Sequence, residues 1–593
     1  MNYSEVIFDS LANLGFAYCC CVPGGGIMYL VDAVGTHPRF KTRFFHHEQA
    51  AGFAAEAYGR AEGKLAVCLV TIGPGVANGV AAAFSCFLNS VPCLFISGAK
   101  RSNFETNYSA QRFSFPQDGD TNDMTKPVVK QYHCLVPEQD PHDVVRWLTE
   151  IAKVGRPGPV WLDIPLDVQG MVYNKTGQSI PFRLRIPTSE ERNPTQVILD
   201  FLQKVERPVF LLGRGCEKVF RNQDYQFFLG KAGIPFITTI GSNHLLKSAG
   251  CLNLGFFGPT GRRAANRVLT EADAIVALGS GLDIDSTGFD RRAFFQNKAV
   301  LTVNSDPDLN LEEPRYWQKV ISCISEIRWD SLIDKSQTWV ERFAGWATFC
   351  REVEKLLSVE QEINLNLTEY DVDPYLFCWT LITFSPDATV FVGGISLDVH
   401  AFSHVAKLIG KQEFYLSPHA GQLGWDLPAS IGLADTQRYQ NIVCLTGDGS
   451  LMFNLQELAT LGRVNQAVSI FIFDNGGYNS IRSTQDSHLA GRRVGSDLRT
   501  LAFPDWQPLA QAFGYQYLSI EHNDDIQQVQ TCLQGGKWLV RVKINPERCR
   551  TPRLISRVNN GKFVSPKIFN QYPDLPDSVE RAYCSLRDYL WVH

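Results

Sequence analysis

The sequence predicts an α/β protein built from three doubly wound parallel-sheet domains. Three observations carry that prediction. Short runs of β-branched and apolar residues recur along the chain, each closed by a glycine or polar turn and separated by helical stretches: KLAVCLVT, VPCLFISG, RPVFLLGRGC, ADAIVALGSG, ATVFVGG and NIVCLTGDGS. A helix between two such runs makes a βαβ crossover, which requires parallel strands. At 593 residues the chain is too long for one core, so three α/β units are its natural division. The expected boundaries are a first domain at 1–180, a central domain at 190–350, a third at 365–550 and a C-terminal tail at 551–593.

Composition narrows the class. Hydrophobic content of 45% with 20% charged residues is that of an ordinary globular protein. A net charge of −5 argues against a general nucleic-acid or anionic-membrane surface. No apolar run reaches membrane-spanning length, and MNYSEVIFDSLANLG lacks a basic region before an apolar core, so a cytoplasmic protein is expected. Its sixteen cysteines are scattered. Even the Cys19-Cys20-Cys21 run sits in a strand-like segment, which suits buried, reduced thiols.

In the first domain, Ser4–Leu14 reads as an amphipathic helix and Tyr18–Val22 as a strand. Pro23-Gly24-Gly25-Gly26 then turns into a second helix, either as a tight connection or as backbone that approaches a cofactor. In RFFHHEQAAGFAAEAYGRAEG a strand ends near His46 and an Ala-rich helix begins close to Glu48, where the macrodipole favours a carboxylate. KLAVCLVT–IGPGVANGVAAAFSC is again strand, glycine turn and helix, and VPCLFISG is a further strand. The polar stretch from Arg101 to Lys130 is a long surface loop of the kind that lines sites. GRPGPVWLDIPLDVQG closes the domain.

The central unit repeats strand and helix, but GRGC is a poor dinucleotide fingerprint and no complete G-x-G-x-x-G follows it. In the third unit, ATVFVGGISLDVHAF gives a strand, then Gly393-Gly394, with Ser396 at a helix start that can receive a diphosphate oxygen. In FYLSPHAGQLGWDLPASIGLA, Leu423 precedes a helix and by itself reads as core.

The most informative stretch is Asn441–Tyr478, NIVCLTGDGSLMFNLQELATLGRVNQAVSIFIFDNGGY. Asn441–Thr446 is a strand, Leu455–Val464 carries apolar residues at helical spacing, and Val468–Phe473 is a second strand. Parallel pairing puts both strand ends on the edge where open α/β sheets bind ligands, so Asp448 and Asn475 become neighbours. A carboxylate, an amide oxygen and a backbone carbonyl are hard donors that suit octahedral Mg²⁺ with positions left for phosphate and water. Gly447, Gly449 and the helix that follows favour a diphosphate. A lone GDG is also a common turn; the order strand–GDGS–helix–strand–DNGGY is far more specific.

That order resembles the thiamine diphosphate signature of the acetolactate synthase-like (acetohydroxyacid synthase large subunit-like) family, and the resemblance covers nearly all of the chain. It implies thiamine diphosphate and Mg²⁺ as cofactors, with Asp448 and Asn475 as side-chain ligands and Gly477 as a carbonyl ligand. Asp474 stands where the family has the first of two asparagines. The resemblance implies that Glu48 bonds the pyrimidine ring nitrogen and so promotes formation of the ylid. It also implies cofactor contacts from Pro23, Gly24 and Gly25, and from Gly394, Ser396, Gly447, Gly449, Ser450 and Tyr478. Gly421 would offer backbone to the aminopyrimidine, and Leu423 would wedge beneath the bent cofactor.

By position, Gln117 is the substrate-side glutamine, with Pro116 where the family has Phe and Thr484 where it has a selective Trp. His46 and His47 are read as structural. FAD, which the family holds in its central domain, is left open, because Gly281 and Asp285 replace arginines. A purely structural central domain is favoured. Arg482, Arg492, Arg493 and Arg499 lie in a polar segment read as a mobile cover over the site. They are either solvated or meet an anionic acceptor such as a carboxylate or nucleotide-sugar phosphate. The last residues, rich in Pro, Asn and Lys, read as an extended tail that crosses the cofactor cleft or a subunit.

The implied activity is decarboxylation of a 2-oxo acid, with pyruvate as donor, and transfer of the acyl unit to a second carbonyl. The alternatives are an acyloin- or keto-sugar-forming ligase, a simple decarboxylase and, last, a non-catalytic scaffold. A simple decarboxylase would carry a tandem His near Gln117, which this chain lacks. A homodimer or homotetramer with the active site at the subunit interface is implied, with small-molecule partners and neither nucleic acid nor membrane.

Overall fold

The computed structural model of the protein describes residues 1–103, 117, 119–174, 193–247, 250–314, 316–364, 371–559 and 562–592. Eighteen of its strands fall into three six-stranded sheets in which every neighbouring pair is parallel. The first comprises β1 (Tyr18–Cys21), β2 (Lys41–Phe44), β3 (Val67–Val70), β4 (Leu94–Ala99), β5 (Gln131–Cys134) and β6 (Val160–Pro165) in the order β2-β1-β3-β4-β6-β5. The second comprises β7 (Pro208–Leu212), β8 (Phe236–Thr238), β9 (Asn253–Phe256), β10 (Ala274–Leu278), β11 (Ala299–Asn304) and β12 (Tyr316–Ile321), ordered β12-β11-β10-β7-β8-β9. The third comprises β13 (Thr389–Gly393), β14 (Glu413–Tyr415), β15 (Asn441–Gly447), β16 (Ala467–Asp474), β17 (Gln516–Ile520) and β18 (Lys537–Lys543), ordered β14-β13-β15-β16-β18-β17.

The first and third sheets therefore share one connectivity. The central sheet has the order of dinucleotide-binding folds, with its switch point between β7 and β10.

Alternation along each strand explains why these runs are apolar throughout. In β1, Cys19 and Cys21 enter a core made by the first domain alone, while Tyr18 and Cys20 enter a core shared with the third domain. In β15, Ile442 and Cys444 enter the shared core, while Val443 and Leu445 face a core of the third domain's own. Both faces are covered, as parallel sheets require. The shared core is closed by the Glu48–Glu62 helix lying on the Asp426–Asp435 helix. They approach so closely that a Cβ on Gly432 would sit 2.1 Å from the Ala54 carbonyl oxygen. All sixteen cysteines are free thiols, and Cys19, Cys20 and Cys21 are fully buried, as the strand reading expected.

Two local expectations are corrected. Leu455–Val464 is not one helix. A four-residue helix spans Asp448–Leu451, and a 3₁₀ turn at Leu455–Glu457 leads into a short helix at Leu458–Leu461. Asn454, between the Asp448–Leu451 helix and the 3₁₀ turn, donates its side-chain N–H to the Gly424 carbonyl at 2.8 Å. The terminal segment is not extended to its end. It leaves the third domain at Thr551, whose carbonyl accepts from Tyr375, and crosses to the central domain, where Leu554 N–H donates to the Pro259 carbonyl. There it makes the hairpin β19 (Arg557–Asn559) and β20 (Lys562–Val564) and the Asp577–Val592 helix. Tyr583 of that helix is buried in the central core and donates to Glu271 at 3.1 Å. Apolar Tyr583, Leu586 and Leu590, hidden among polar neighbours in the sequence, tie the helix down.

Among the described residues no helix is long and apolar enough to cross a membrane.

Candidate active site

The carboxyl edge of the first sheet gathers two glycine turns around one carboxylate. Glu48 is the first residue of its helix, after β2, and is 8% exposed. Its Oε2 accepts from Asn78 Nδ2 at 2.9 Å. A Cβ on Gly75 would lie 3.3 Å from Oε1, so the start of the Pro74–Leu88 helix is pressed against the same carboxylate. The Pro23–Gly25 turn leaves β1 beside Thr71, with a Cβ on Gly24 meeting Thr71 Oγ1 at 2.6 Å. Thr71 Oγ1 is buried without a hydrogen-bond partner among the described residues. Gln117 is exposed and has a φ of 64°, and its carbonyl lies over Gly73. The structure thus brings Pro23–Gly25, Glu48 and Gln117 to one edge; Pro116 lies outside the described residues. Asn78 was not singled out by sequence, although its place in GPGVAN, one turn after Gly75, is the signal that finds it.

The carboxyl edge of the third sheet gathers the other candidates. Asp448 leaves β15 almost fully buried. Its Oδ2 accepts the N–H of Asn475 at 3.2 Å and of Gly477 at 2.9 Å, and its Oδ1 that of Gly449 at 2.6 Å. Burial, then the nearby Asp474, pushes this carboxyl up to about 7, although the N–H groups of Gly477 and Gly449 pull it down. Gly477 has a φ of 139°, a conformation that requires glycine. A Cβ there would also meet the Ser496 carbonyl at 2.4 Å.

The Tyr478 ring packs over Gly449. Ser450 Oγ accepts from the Gly424 N–H at 2.9 Å and donates to Asp426 at 2.8 Å. That bond ties the Gly421–Leu423 stretch to the GDGS turn; Leu423 itself is half-buried. Ser396 caps the Leu397–Val405 helix with a φ of 102°. Its side chain makes no cap bond and pairs with Ser480 Oγ at 2.7 Å instead. A non-glycine residue held there stores about 1–3 kcal/mol of strain, which is characteristic of functional turns.

Three features of this edge were not legible in the sequence. Arg482 is buried, not part of a solvated cover, and its Nη2 donates to both the carbonyl (3.2 Å) and the side-chain oxygen (3.1 Å) of Asn475. Arg493 is bound to Asp486 and Glu547, and Arg499 to Asp497, which leaves Arg492 as the exposed arginine of that segment without an ion pair among the described residues. Beneath Gly394 lie two fully buried carboxylates. Asp398 accepts the Gly394 N–H at 3.0 Å, and the Asp426 carboxylate faces the same glycine. Burial and then the charge of Asp426 push Asp398 up to about 7. Thr484, at the position of the family's Trp, is exposed and bonded to the Ser480 carbonyl.

The donor set of the third-sheet edge fits a divalent cation. A buried carboxylate held by backbone N–H groups, with Asp474 nearby and an amide oxygen beside it, is favoured by an added cation. Between the first and central domains, at the switch point between β7 and β10, a cleft of about 480 Å³ opens. Gly281 and Asp285 both line it, with Asp283 and Asp306. Of the arginines that line it, Arg60 and Arg214 are committed to Glu217 and Arg156 is paired with Asp306.

Comparison with known proteins agrees with this layout. Residues 1–120 match the N-terminal TPP binding domain of thiamine pyrophosphate enzymes, residues 195–312 their central domain and residues 392–541 their C-terminal TPP binding domain. The acetolactate synthase large subunit of Buchnera aphidicola subsp. Schizaphis graminum is 25% identical over 534 residues, covering 89% of this chain and 91% of the relative. The probable acetolactate synthase large subunit of Methanocaldococcus jannaschii is 26% identical over 574 residues, 92% of each chain. The acetolactate synthase large subunit of Lactococcus lactis subsp. lactis is 26% identical over 573 residues, 95% of this chain and 96% of the relative. With one domain model matched on each of its three sheets, the chain belongs to the thiamine pyrophosphate enzymes and is similar to their acetolactate synthase large subunits.

Proposed function

We propose that the protein is a thiamine diphosphate- and Mg²⁺-dependent carboligase that decarboxylates a 2-oxo acid, pyruvate first, and transfers the acyl unit to a second carbonyl. The observation that carries this reading is the joint presence of Glu48, held by Asn78, and of Asp448 bonded to the Asn475–Gly477 turn. A scaffold needs neither.

When bound, the cofactor supplies the electron sink for decarboxylation. This chain's residues do the rest. Asp448, Asn475 and the Gly477 carbonyl hold the metal, and Arg482 fixes the amide that faces it. The turns at Gly394–Ser396 and Gly447–Ser450 receive the diphosphate, with Tyr478 closing over Gly449. Glu48 holds a proton at the pyrimidine end, with Pro23–Gly25 and Gly421 offering backbone and Leu423 a bulky support. Gln117 lies at the substrate side.

The reading includes a homodimer or homotetramer in which the two edges serve sites shared between subunits. Its support is the apolar surface left on the elements that carry them: Phe84 and Phe87 after Asn78, Met452 and Phe453 after the GDGS turn, and Ile481 after Tyr478 are all more than a third exposed. Single exposed apolar residues are ordinary, but their concentration on the site-bearing elements is not. We further propose that the central domain works without flavin, since Gly281 and Asp285 stand where the resemblance leads one to expect arginines. The acceptor is the open choice, and Thr484 in place of a bulky Trp favours one larger than a second pyruvate.

The test is product analysis. Pure protein with thiamine diphosphate, Mg²⁺ and ¹³C-pyruvate, alone and with aldehyde, ketone and keto-sugar acceptors, should release CO₂ and form a new carbon–carbon bond. Acetaldehyde as the sole product would instead favour a decarboxylase. A flavin spectrum in the purified protein would overturn the flavin-free reading.

A further inference from the structure

Between the central and third domains lies another cleft, of about 350 Å³, which the reaction above does not use. Lys247, Arg262, Arg351 and Lys407 line it, with Ser403, and Glu354 is the one carboxylate on its wall among the described residues. Arg262 is the unusual member. It is 4% exposed, and its stem lies against Gly255, where a Cβ would meet Arg262 Cδ at 2.4 Å, so its course is fixed by packing. Yet its Nε and Nη2 have no hydrogen-bond partner among the described residues. Glu354 Oε1 is 3.7 Å from Nη2, an ion pair that falls beyond hydrogen-bond length. Ser403 Oγ, on a residue 1% exposed in the same wall, is also without a partner.

Buried donors left unpaired are expensive, and a guanidinium more so than a neutral group. A planar guanidinium fork matches the oxygens of a phosphoryl or carboxylate group in two parallel bonds. The other cations are placed to help. Lys247 is half-buried and gives one proton to the Gln412 carbonyl, which leaves two for a ligand. Lys407, paired with Glu360 at 3.4 Å, and Arg351 stand exposed at the rim. The cleft's size suits a small metabolite, not a polymer. Ser403 sits near the end of the Leu397–Val405 helix, whose other end carries the Gly394–Ser396 turn, so one rigid element joins this cleft to the cofactor edge.

We propose that this cleft is a separate oxyanion site, which takes the phosphoryl or carboxylate group of a small metabolite on Arg262, Ser403 and Lys247.

The test uses the full chain saturated with thiamine diphosphate and Mg²⁺, so that the diphosphate edge is already filled. Inorganic phosphate and, separately, malonate are titrated by calorimetry against a chloride control of equal ionic strength. Saturable binding is expected for at least one of them, and which one binds identifies the phosphoryl or the carboxylate source. Binding should weaken at least tenfold in Arg262→Met and severalfold in Lys247→Met, the latter a partly exposed change that keeps the test valid if the buried arginine proves necessary for folding. Absence of saturable binding by both anions, or equal binding in native protein and Lys247→Met, would mean that water alone fills the cleft, and would overturn the proposal.

Discussion

The Asp448 carboxylate accepts the backbone N–H of Asn475 at 3.2 Å, joining residues 27 apart in sequence at the ends of two adjacent parallel strands. The register of β15 on β16 makes this contact unavoidable: Gly447 lies opposite Phe473, so the residues that follow each strand leave the sheet side by side. A buried carboxylate and a buried amide are thereby placed in contact without any local sequence relationship. This arrangement gives the third domain its capacity for a cation.

Arg482 extends that arrangement. Because it bonds both oxygens of Asn475 from within a buried position, Arg482→Ala should free the amide to turn away. Loss of such an outer partner typically costs about 10- to 100-fold in metal affinity. Thiamine diphosphate affinity measured across a Mg²⁺ series should fall by that amount. Arg482→Lys, which supplies one point charge, should recover only part of it. Unchanged Mg²⁺ dependence in Arg482→Ala would show that Asn475 is held by other means.

Glu48→Gln keeps the shape and the contact with Asn78 but removes the acidic proton. Cofactor affinity should stay within a few-fold, while turnover of pyruvate falls by about 10²–10⁴, the usual range for a lost acid–base group. Steady-state kinetics alongside calorimetry separates the two effects. A variant with native turnover would remove Glu48 from the mechanism.

Asp398 gives the apo chain a pH signature. Burial, followed by the neighbouring Asp426 charge, raises its carboxyl from 3.8 to about 7. The folded state therefore holds a proton that the unfolded state has released. The stability this contributes is fully present below about pH 4 and is lost as pH rises through about 7, at no more than about 1.4 kcal/mol per pH unit. Thermal melts of the native protein should decline between pH 5 and pH 8, and Asp398→Asn, which can still accept the Gly394 N–H, should decline less. Parallel slopes in the two proteins would contradict this assignment.

The shared core rests on the contact of Gly432 with Ala54. Gly432→Leu forces a side chain against a helix backbone and should cost at least about 2 kcal/mol, toward the upper part of the overpacking range. Denaturant unfolding would register the loss. The first and third domains should be affected together, since both sheets line that core.

Much of this layout is written in local pattern. The strand runs and the glycine turns after them are legible because parallel strands buried on both faces must be apolar throughout and must end where the chain reverses. GDGS and DNGGY are legible together because the crossover fixes which ends meet. Arg482 was not, because in sequence it is one arginine among four in a polar segment, and only the helix from Asn479 to His488 turns it inward. The carboxylates at Asp398 and Asp426 were hidden for a similar reason: they come from different helices and meet only beneath Gly394. The terminal helix was missed because its few apolar residues are diluted by charge, and its binding surface is the central domain, far away in sequence.

Calorimetric titration of thiamine diphosphate into the apo protein at saturating Mg²⁺, with native chain and with Asp448→Asn, tests the central claim most directly. The native chain should take up the cofactor saturably, and the variant, which lacks the negative charge that holds the cation, should bind at least about 100-fold more weakly, equivalent to about 2.7 kcal/mol. No uptake by the native chain, or equal uptake by both, would contradict the account.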